Sequence, residues 1–283
     1  MIRDFKNEDL KAIIDLLQGD YVISMEGATS EFTGDNRRMV ICEEDKIKGF
    51  ALMVNNKGSN KWTLKLYVNP DYRKKGIGTA LYEKAMEYLT EAKADGIVVG
   101  FKVDGVDGED DTNFYKKLGY EKWFGYHDMR YMGEVQPEVN LNFINYEDKY
   151  FEKYETLMGE AFYQLREANN MKPYNCSDFS DKQRQYWMNN KNYVYLLLDE
   201  KDEIITTITV KDGFIDEVMT SKGYEGKGYG KKAVQFGINK ALSEGVKNIQ
   251  LCVVEWNEKA RKLYERLGFE TIQTFHNYRK SLV

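Results

Sequence analysis

Cysteine and histidine are scarce in this chain of 283 residues, with three of the first and two of the second. Cys42, Cys176 and Cys252 are far apart and odd in number, and no spacing among them resembles a metal site or a disulfide framework. That usage suits a reducing compartment, and a cytoplasmic location is expected. His127 and His276 stand singly near the ends of the two halves and read as structural or exposed. No metal is expected. A long apolar run is also missing: nothing approaches the roughly 18 apolar residues of a membrane span. Met1-Ile2-Arg3-Asp4-Phe5-Lys6 holds no apolar signal region, so a soluble chain without a membrane partner is expected. Basic charge is not in excess either. The net charge is −5 and the pI about 5.4, which argues against the basic footprint of a nucleic-acid partner. Arg73, Lys74 and Lys75 nevertheless form a local basic patch.

What is present is a repeat. Tyr72-Arg73-Lys74-Lys75-Gly76-Ile77-Gly78-Thr79 is followed by Phe114-Tyr115-Lys116-Lys117-Leu118-Gly119-Tyr120. Half a chain later, Tyr224-Glu225-Gly226-Lys227-Gly228-Tyr229-Gly230-Lys231 is followed by Leu263-Tyr264-Glu265-Arg266-Leu267-Gly268-Phe269. The repeat implies two domains of one fold, 1–134 and 139–283, joined near Gly133 to Glu138 around Pro137. Apolar residues make up 42% of the chain, enough for two cores.

The elements repeat in order. Ile2 to Phe5 reads as a strand, then a helix from Asn7 or Glu8 carries Leu10, Ile13, Ile14 and Leu17 at helical spacing. Met39 to Cys42, Gly49 to Val54 and Trp62 to Val68 read as strands, and Asn69-Pro70 ends the last. A helix from about Thr79 to Ala94, a strand Ile97 to Val103, an acidic loop Asp104 to Asp111 and the helix with Phe114, Tyr115 and Leu118 follow. In the second half, Leu141 to Ile144 is a strand and Tyr150 to Phe162 a helix, then a polar segment runs to about Asn190. Tyr193 to Leu198, Ile204 to Val210 and Phe214 to Thr220 are strands. After the second glycine turn a helix stops at Gly245, Ile249 to Val254 is a strand, Asn257 starts a helix, and Phe269 to Lys280 forms the last strand or two. The fold class is α/β with a mixed sheet.

Each glycine turn lies between a strand and a helix, the context in which such a turn binds phosphate. Backbone N–H groups beside glycine approach phosphate oxygens closely, and the helix N-terminus adds unpaired donors and partial positive charge. Neither turn is a Walker loop or a dinucleotide fingerprint, because Leu81 and Ala233 stand where the third glycine belongs. A nucleotide with one diphosphate and a long arm fits better.

These residues resemble the GNAT superfamily of acyl-coenzyme A-dependent N-acyltransferases, with its Arg/Gln-x-x-Gly-x-Gly/Ala motif. Arg73 to Gly78 match throughout, and Glu225 to Gly230 match except at the first residue. The later family motif is met by Asn257, Ala260, Tyr264 and Leu267-Gly268-Phe269. The first half keeps Tyr115 and Leu118-Gly119-Tyr120 without the Asn. The resemblance implies two tandem GNAT-like domains, each a twisted, mostly antiparallel mixed sheet flanked by helices. It implies acetyl-CoA held by Arg73, Lys74, Lys75, Gly76, Ile77, Gly78 and Thr79, and by Glu225, Gly226, Lys227, Gly228, Tyr229, Gly230 and Lys231. The strand before each turn is expected to be bulged and splayed, exposing backbone at Leu66, Tyr67 and Val68 and at Val218, Met219 and Thr220 to the pantetheine arm. Asn257 would bond that arm or cap its helix.

The expected reaction is direct attack of a primary amine of a small molecule, peptide or protein on the thioester. A free alkylamine is mostly protonated at neutral pH, so a base would help. Glu217 is the candidate, and Asp216, on the opposite face by strand alternation, is the fallback. Lys65 occupies the matching place in the first half. Tyr264 is the candidate proton donor to the leaving thiolate, with Tyr115 its counterpart. The second half is thus expected to be catalytic. Two alternatives remain at the sequence level: a non-catalytic acyl-CoA sensor or scaffold, and a tRNA-dependent aminoacyl transferase. Intact phosphate turns and the acidic pI count against the latter. Acceptor pockets are expected around Asp20 to Asp35 and Ala161 to Asn190, without naming a substrate or an oligomeric state.

Overall fold

The computed structural model describes residues 1–17, 32–56, 60–104 and 106–283. Its contacts define two units, one built mainly of Met1–Phe101 and Val106–Lys122, the other mainly of Trp123–His276. Asn277–Val283 count with the first unit. The contact units therefore differ from the linear division at 134 and 139 in three segments, Lys102–Gly105, residues 123–134 and Asn277–Val283.

In the first unit, β1 (Ile2–Asp4), β2 (Arg37–Glu43), β3 (Ile47–Asn55), β4 (Lys61–Val68) and β5 (Gly96–Lys102) lie in that spatial order. The pairs are antiparallel until β4 meets β5, which is parallel. β3 is buried along Ile47 to Met53 because it is covered on both faces. On one side Phe50 and Leu52 meet Ile13 and Leu17 of α1 (Leu10–Leu17). On the other lies α2 (Ile77–Glu91), whose buried stripe is Leu81, Tyr82, Ala85 and Leu89. That stripe has the 3.6-residue period expected of an amphipathic helix. The part of the expected acceptor segment from Asp20 to residue 31 lies outside the described residues.

The acidic loop expected over Asp104 to Asp111 is largely helix: α3 spans Val106–Lys117. Its acidic residues cluster at the N-terminal end and Lys116 and Lys117 at the C-terminal end, the arrangement that the helix dipole favours. The acidic run read as a loop, whereas end-complementary charge supports a helix.

In the second unit the order is β12 (Phe269–Ser281), β6 (Glu121–Tyr131), β11 (Gln250–Val254), β10 (Phe214–Thr220), β9 (Ile204–Lys211), β8 (Val194–Leu198) and β7 (Phe143–Asn145). Again one described pair, β10–β11, is parallel. Against β9 and β10 lies α6 (Tyr229–Ser243), with Ala233, Val234, Ile238 and Ala241 buried. α4 runs further than expected, Phe151–Ala168, and a further helix, α5 (Asp181–Asn190), occupies the segment expected to be merely polar. Ser180 caps α5 by accepting from the Gln183 N–H at 3.2 Å. Its one buried residue is Trp187, whose indole donates to the buried Glu155 carboxylate at 2.5 Å. A single anchor leaves no periodic apolar stripe, so hydrophobic patterning missed this helix. α7 (Glu258–Leu267) leads into β12, one strand of 13 residues.

The expected linker is tied down. The Gln136 side chain donates to the Tyr131 hydroxyl at 2.6 Å and the Leu267 carbonyl at 3.0 Å. Its backbone exchanges hydrogen bonds with the Asn239 side chain at 2.8 and 3.0 Å. Among the described residues no helix is long and apolar enough to cross a membrane.

Gly49 of β3 stands opposite Val68. A Cβ there would lie 2.5 Å from the Tyr67 carbonyl oxygen and 3.2 Å from Val68 Cα, both backbone atoms that cannot rotate away. Gly49→Ala is expected to destabilise the chain by about 1–3 kcal/mol, read as a lowered urea midpoint. An unchanged midpoint would mean that β4 shifts without strain.

Candidate active site

In each unit a parallel strand pair parts after a few residues. β4 pairs with β5 at Lys61↔Gly96, Trp62↔Ile97 and Thr63↔Val98, and β4 then continues to Val68. β10 pairs with β11 at Phe214↔Gln250 and Ile215↔Leu251 and continues to Thr220. Beyond the parting point the strand's backbone groups are left for another partner.

A glycine turn closes each gap. Gly76 (φ +82°) and Gly228 (φ +84°) are the N-caps of α2 and α6. A Cβ on either would meet nothing within 4 Å, so the left-handed backbone, not space, calls for glycine. The first intrahelical bonds are Ala80 N–H to Gly76 O and Lys232 N–H to Gly228 O. The N–H groups of Ile77, Gly78 and Thr79, and of Tyr229, Gly230 and Lys231, therefore precede the helical ladder and face outward as donors. Lys74 takes φ +60° where the second turn has Gly226 at +72°. Donors in this arrangement fit a diphosphate.

The side chains differ. In the first unit a cleft of about 730 Å³ opens beside the turn. It brings together Leu66, Tyr67, Val68, Arg73, Lys74, Gly76, Gly78, Thr79 and Tyr115 of the expected set, with Lys75 and Ile77 outside the lining. Sequence reading missed Asp111, Asn113, Phe114 and Lys117, which α3 also presents there. The helical spacing of Asp111, Phe114 and Tyr115 was the available signal. Arg73 Nε donates to the Val68 carbonyl at 3.0 Å, joining turn to strand end. The ammonium groups of Lys46, Lys48 and Lys75 lie 5.6, 4.7 and 5.3 Å from the Tyr72 ring centre. At the second turn the Lys227 ammonium lies 5.2 Å from the Tyr224 ring centre, Tyr224 also donates to Asp199 at 2.7 Å, and Glu225 stands where Arg73 does. Tyr115 is a core aromatic, stacked on Phe101 at 5.3 Å. Burial pushes its hydroxyl far above the usual phenol range.

The expected bulge is absent from β4, whose register with β3 runs unbroken from Gly49↔Val68 to Asn55↔Trp62. β10 has it: the register jumps between Asp216↔Thr209 and Met219↔Thr207. The jump overturns the alternation that would separate Asp216 from Glu217. Glu217 is left-handed, φ +43°, and its N–H donates to the Asp216 carboxylate at 2.8 Å. Burial, then the charge of Asp216, push the Glu217 carboxyl up to about 7, while the Thr209 hydroxyl favours the ionised form. Burial also raises Asp216. Met219 is buried in the core, whereas Val218 and Thr220 are partly exposed.

Tyr264, on α7, packs edge-on against Phe269 at 6.0 Å. Burial, Asp216 and Cys252 push its hydroxyl up to about 12. A thiol has a pKa of about 8.5, so proton transfer from a phenol at about 12 to a thiolate would be uphill. Asn257 caps α7, its side-chain oxygen accepting from Ala260 N–H at 3.2 Å. His276 meets Glu255 at 2.9 Å and His127 meets Thr274 at 3.1 Å, both structural contacts.

Residues 159–269 match the model of the Acetyltransferase (GNAT) family, and residues 35–122 match that of an Acetyltransferase (GNAT) domain. Thialysine N-epsilon-acetyltransferase of Sus scrofa is 29% identical over 79 residues, 27% of this chain and 46% of that protein. An uncharacterized N-acetyltransferase of Methanocaldococcus jannaschii is 44% identical over 57 residues, 20% of this chain and 24% of that protein. The matched stretches thus span less than half of these relatives. Among solved structures, a GCN5-related N-acetyltransferase from Sphaerobacter thermophilus superposes with TM-score 0.77 at 17% identity, covering 99% of this chain and 95% of that one. A tandem GNAT protein from the clavulanic acid biosynthesis pathway gives 0.68 at 13% identity, covering 99% and 98%. At such identities the likeness is one of fold.

The raised carboxyl of Glu217 has a consequence for stability. The folded chain holds that proton up to about pH 7, whereas the ordinary value is 4.5. Unfolding releases it between these values, so stability falls as pH rises through that window. Relative to Glu217→Gln, the wild-type chain is expected to lose melting temperature between pH 4.5 and 7. Parallel curves for the two proteins would show an ordinary carboxyl.

Proposed function

The chain belongs to the GNAT acetyltransferase family, and from that premise we propose that it transfers an acetyl group from acetyl-CoA to a primary amine by direct attack in a ternary complex. The observation that carries this reading is the placement of Glu217 in a bulge beside a parted strand pair and a glycine turn, where burial pushes its carboxyl up to about 7. The relative named for thialysine N-epsilon acetylation favours an alkylamine acceptor.

Acetyl-CoA supplies the thioester that the amine attacks, releasing the thiol. The chain's own groups bind it and move the proton. Outward N–H groups of Tyr229, Gly230 and Lys231 take the diphosphate in the second unit, and the backbone of Val218 to Thr220 meets the pantetheine arm. Glu217 accepts the proton that the amine sheds as its C–N bond forms. A base near pKa 7 is half ionised at neutral pH, the condition under which such catalysis is most effective. The Tyr264 hydroxyl would donate a hydrogen bond to the departing sulfur.

The first unit binds without this chemistry. Its cleft, with Arg73, Lys74 and the lysines around Tyr72, suits the diphosphate better than the second turn, where Glu225 opposes anions. Lys65 sits where Glu217 does, so the first unit has no carboxylate at that place. The first unit is therefore a second acyl-CoA site of higher affinity, and the second unit is the catalytic one.

Calorimetric titration of acetyl-CoA is expected to give two unequal sites per chain, with Gly76→Val removing the tighter. Absence of binding would sink the acyltransferase reading. Glu217→Gln should lower the release of free thiol, measured with acetyl-CoA and a panel of primary alkylamines, by about 10²–10⁴-fold at unchanged acetyl-CoA affinity. Tyr264→Phe should also slow release while leaving affinity alone, and wild-type turnover in either variant would remove that residue from the mechanism.

A further inference from the structure

A buried hydroxyl needs a partner. β9 carries two adjacent ones, Thr206 and Thr207, each 0% exposed. Opposite them the ladder fails. Asp216 pairs with Thr209 and Met219 with Thr207, so Glu217 and Val218 together face Ile208 alone. Two residues against one is a bulge, and a bulge takes carbonyl groups out of the ladder. Inside a sheet those carbonyls must find other donors.

The threonines supply them. The Thr207 hydroxyl donates to the Glu217 carbonyl at 2.7 Å. The Thr206 hydroxyl donates to the Met219 carbonyl at 2.7 Å and lies 3.1 Å from the Thr220 hydroxyl. Both ends of the bulge are thus held by side chains of the neighbouring strand. Glu217 needs such holding, because φ +43° is unfavourable for a residue with a Cβ.

The first unit provides the contrast within the same chain. The matching part of β3 is Gly49-Phe50-Ala51-Leu52, which has no hydroxyl. There β4 keeps its register with β3 throughout, and the residue in the place of Glu217 is Lys65, paired with Leu52. Clamp, bulge and carboxylate occur together in one unit and are missing together from the other.

We propose that Thr207, assisted by Thr206, is a positioning residue for the transfer: its hydroxyl holds the bulge that turns Glu217 left-handed and sets its carboxyl beside Asp216. The proposal rests on the reading of Glu217 as the base. The groups that act on this carboxyl are Asp216 on its own strand, the Thr209 hydroxyl on β9 and the Tyr154 side chain on α4. When the clamp is lost, β10 relaxes toward a regular ladder and Glu217 swings away from its half-buried place near Asp216.

The test uses the full chain labelled with ¹³C at the glutamate side-chain carboxyl. The Glu217 signal is assigned by its loss in Glu217→Gln, and its titration midpoint is followed by NMR. Thr207→Val, which keeps the shape and removes the hydroxyl, is expected to lower that midpoint by about one unit or more. Thr207→Ser, which restores the donor, is expected to keep it near the wild-type value. A wild-type midpoint in Thr207→Val would overturn the proposal. If Thr207→Val does not fold, Thr207→Ala decides by the same criterion without steric demand. The midpoint is independent of turnover, so full activity in Glu217→Gln would defeat the base assignment and be read separately from the clamp.

Discussion

Parallel strands are held by evenly spaced backbone hydrogen bonds, and wherever such a pair separates inside a sheet, the freed N–H and C=O groups require other partners. β4 leaves β5 after Thr63, and β10 leaves β11 after Ile215. The strand past each parting, the left-handed glycine that follows and the outward N–H groups of the next helix line one opening. Hydrophobic burial keeps the opening in place. α2 and α6 are fixed to their sheets by Leu81, Ala85 and Leu89, and by Val234, Ile238 and Ala241, so the donors at their N-termini cannot drift from the strands.

The two openings share a left-handed glycine, Gly76 at φ +82° and Gly228 at φ +84°, and differ in charge. Three lysine ammonium groups surround Tyr72, whereas Tyr224 has Lys227 beside it and is bonded to Asp199. In the proposed division of labour, one unit concentrates positive charge for an anion, and the other concentrates carboxyl and phenol groups whose burial shifts their protonation. Burial raises both Asp216 and Glu217, and the charge of Asp216 raises Glu217 further, because each effect disfavours a negative charge in a partly dry site. The same field discourages ionisation of Tyr264, which keeps its hydroxyl a donor.

Backbone irregularity is the chemical difference between the units. A regular β10 would place Asp216 and Glu217 on opposite faces. The bulge removes that separation, and the threonines of β9 satisfy the carbonyls it releases.

Sequence alone determined the duplication, the positions of the glycine turns, the helices of periodic apolar pattern and the mixed strand–helix order, because each depends on local conformation or on spacing within one element. It also placed Glu217, Tyr264 and the turn residues as candidates. It missed α5, which rests on the single anchor Trp187, and it read α3 as an acidic loop. It put Asp216 and Glu217 on opposite faces and expected a bulge in both units. Only the tertiary structure decided these points. A bulge is a relation between two strands, here between the threonines of β9 and the carbonyls of β10, and a shifted pKa is the sum of burial and charges brought from β9, β10, β11 and α7. Neither quantity belongs to a single stretch of chain.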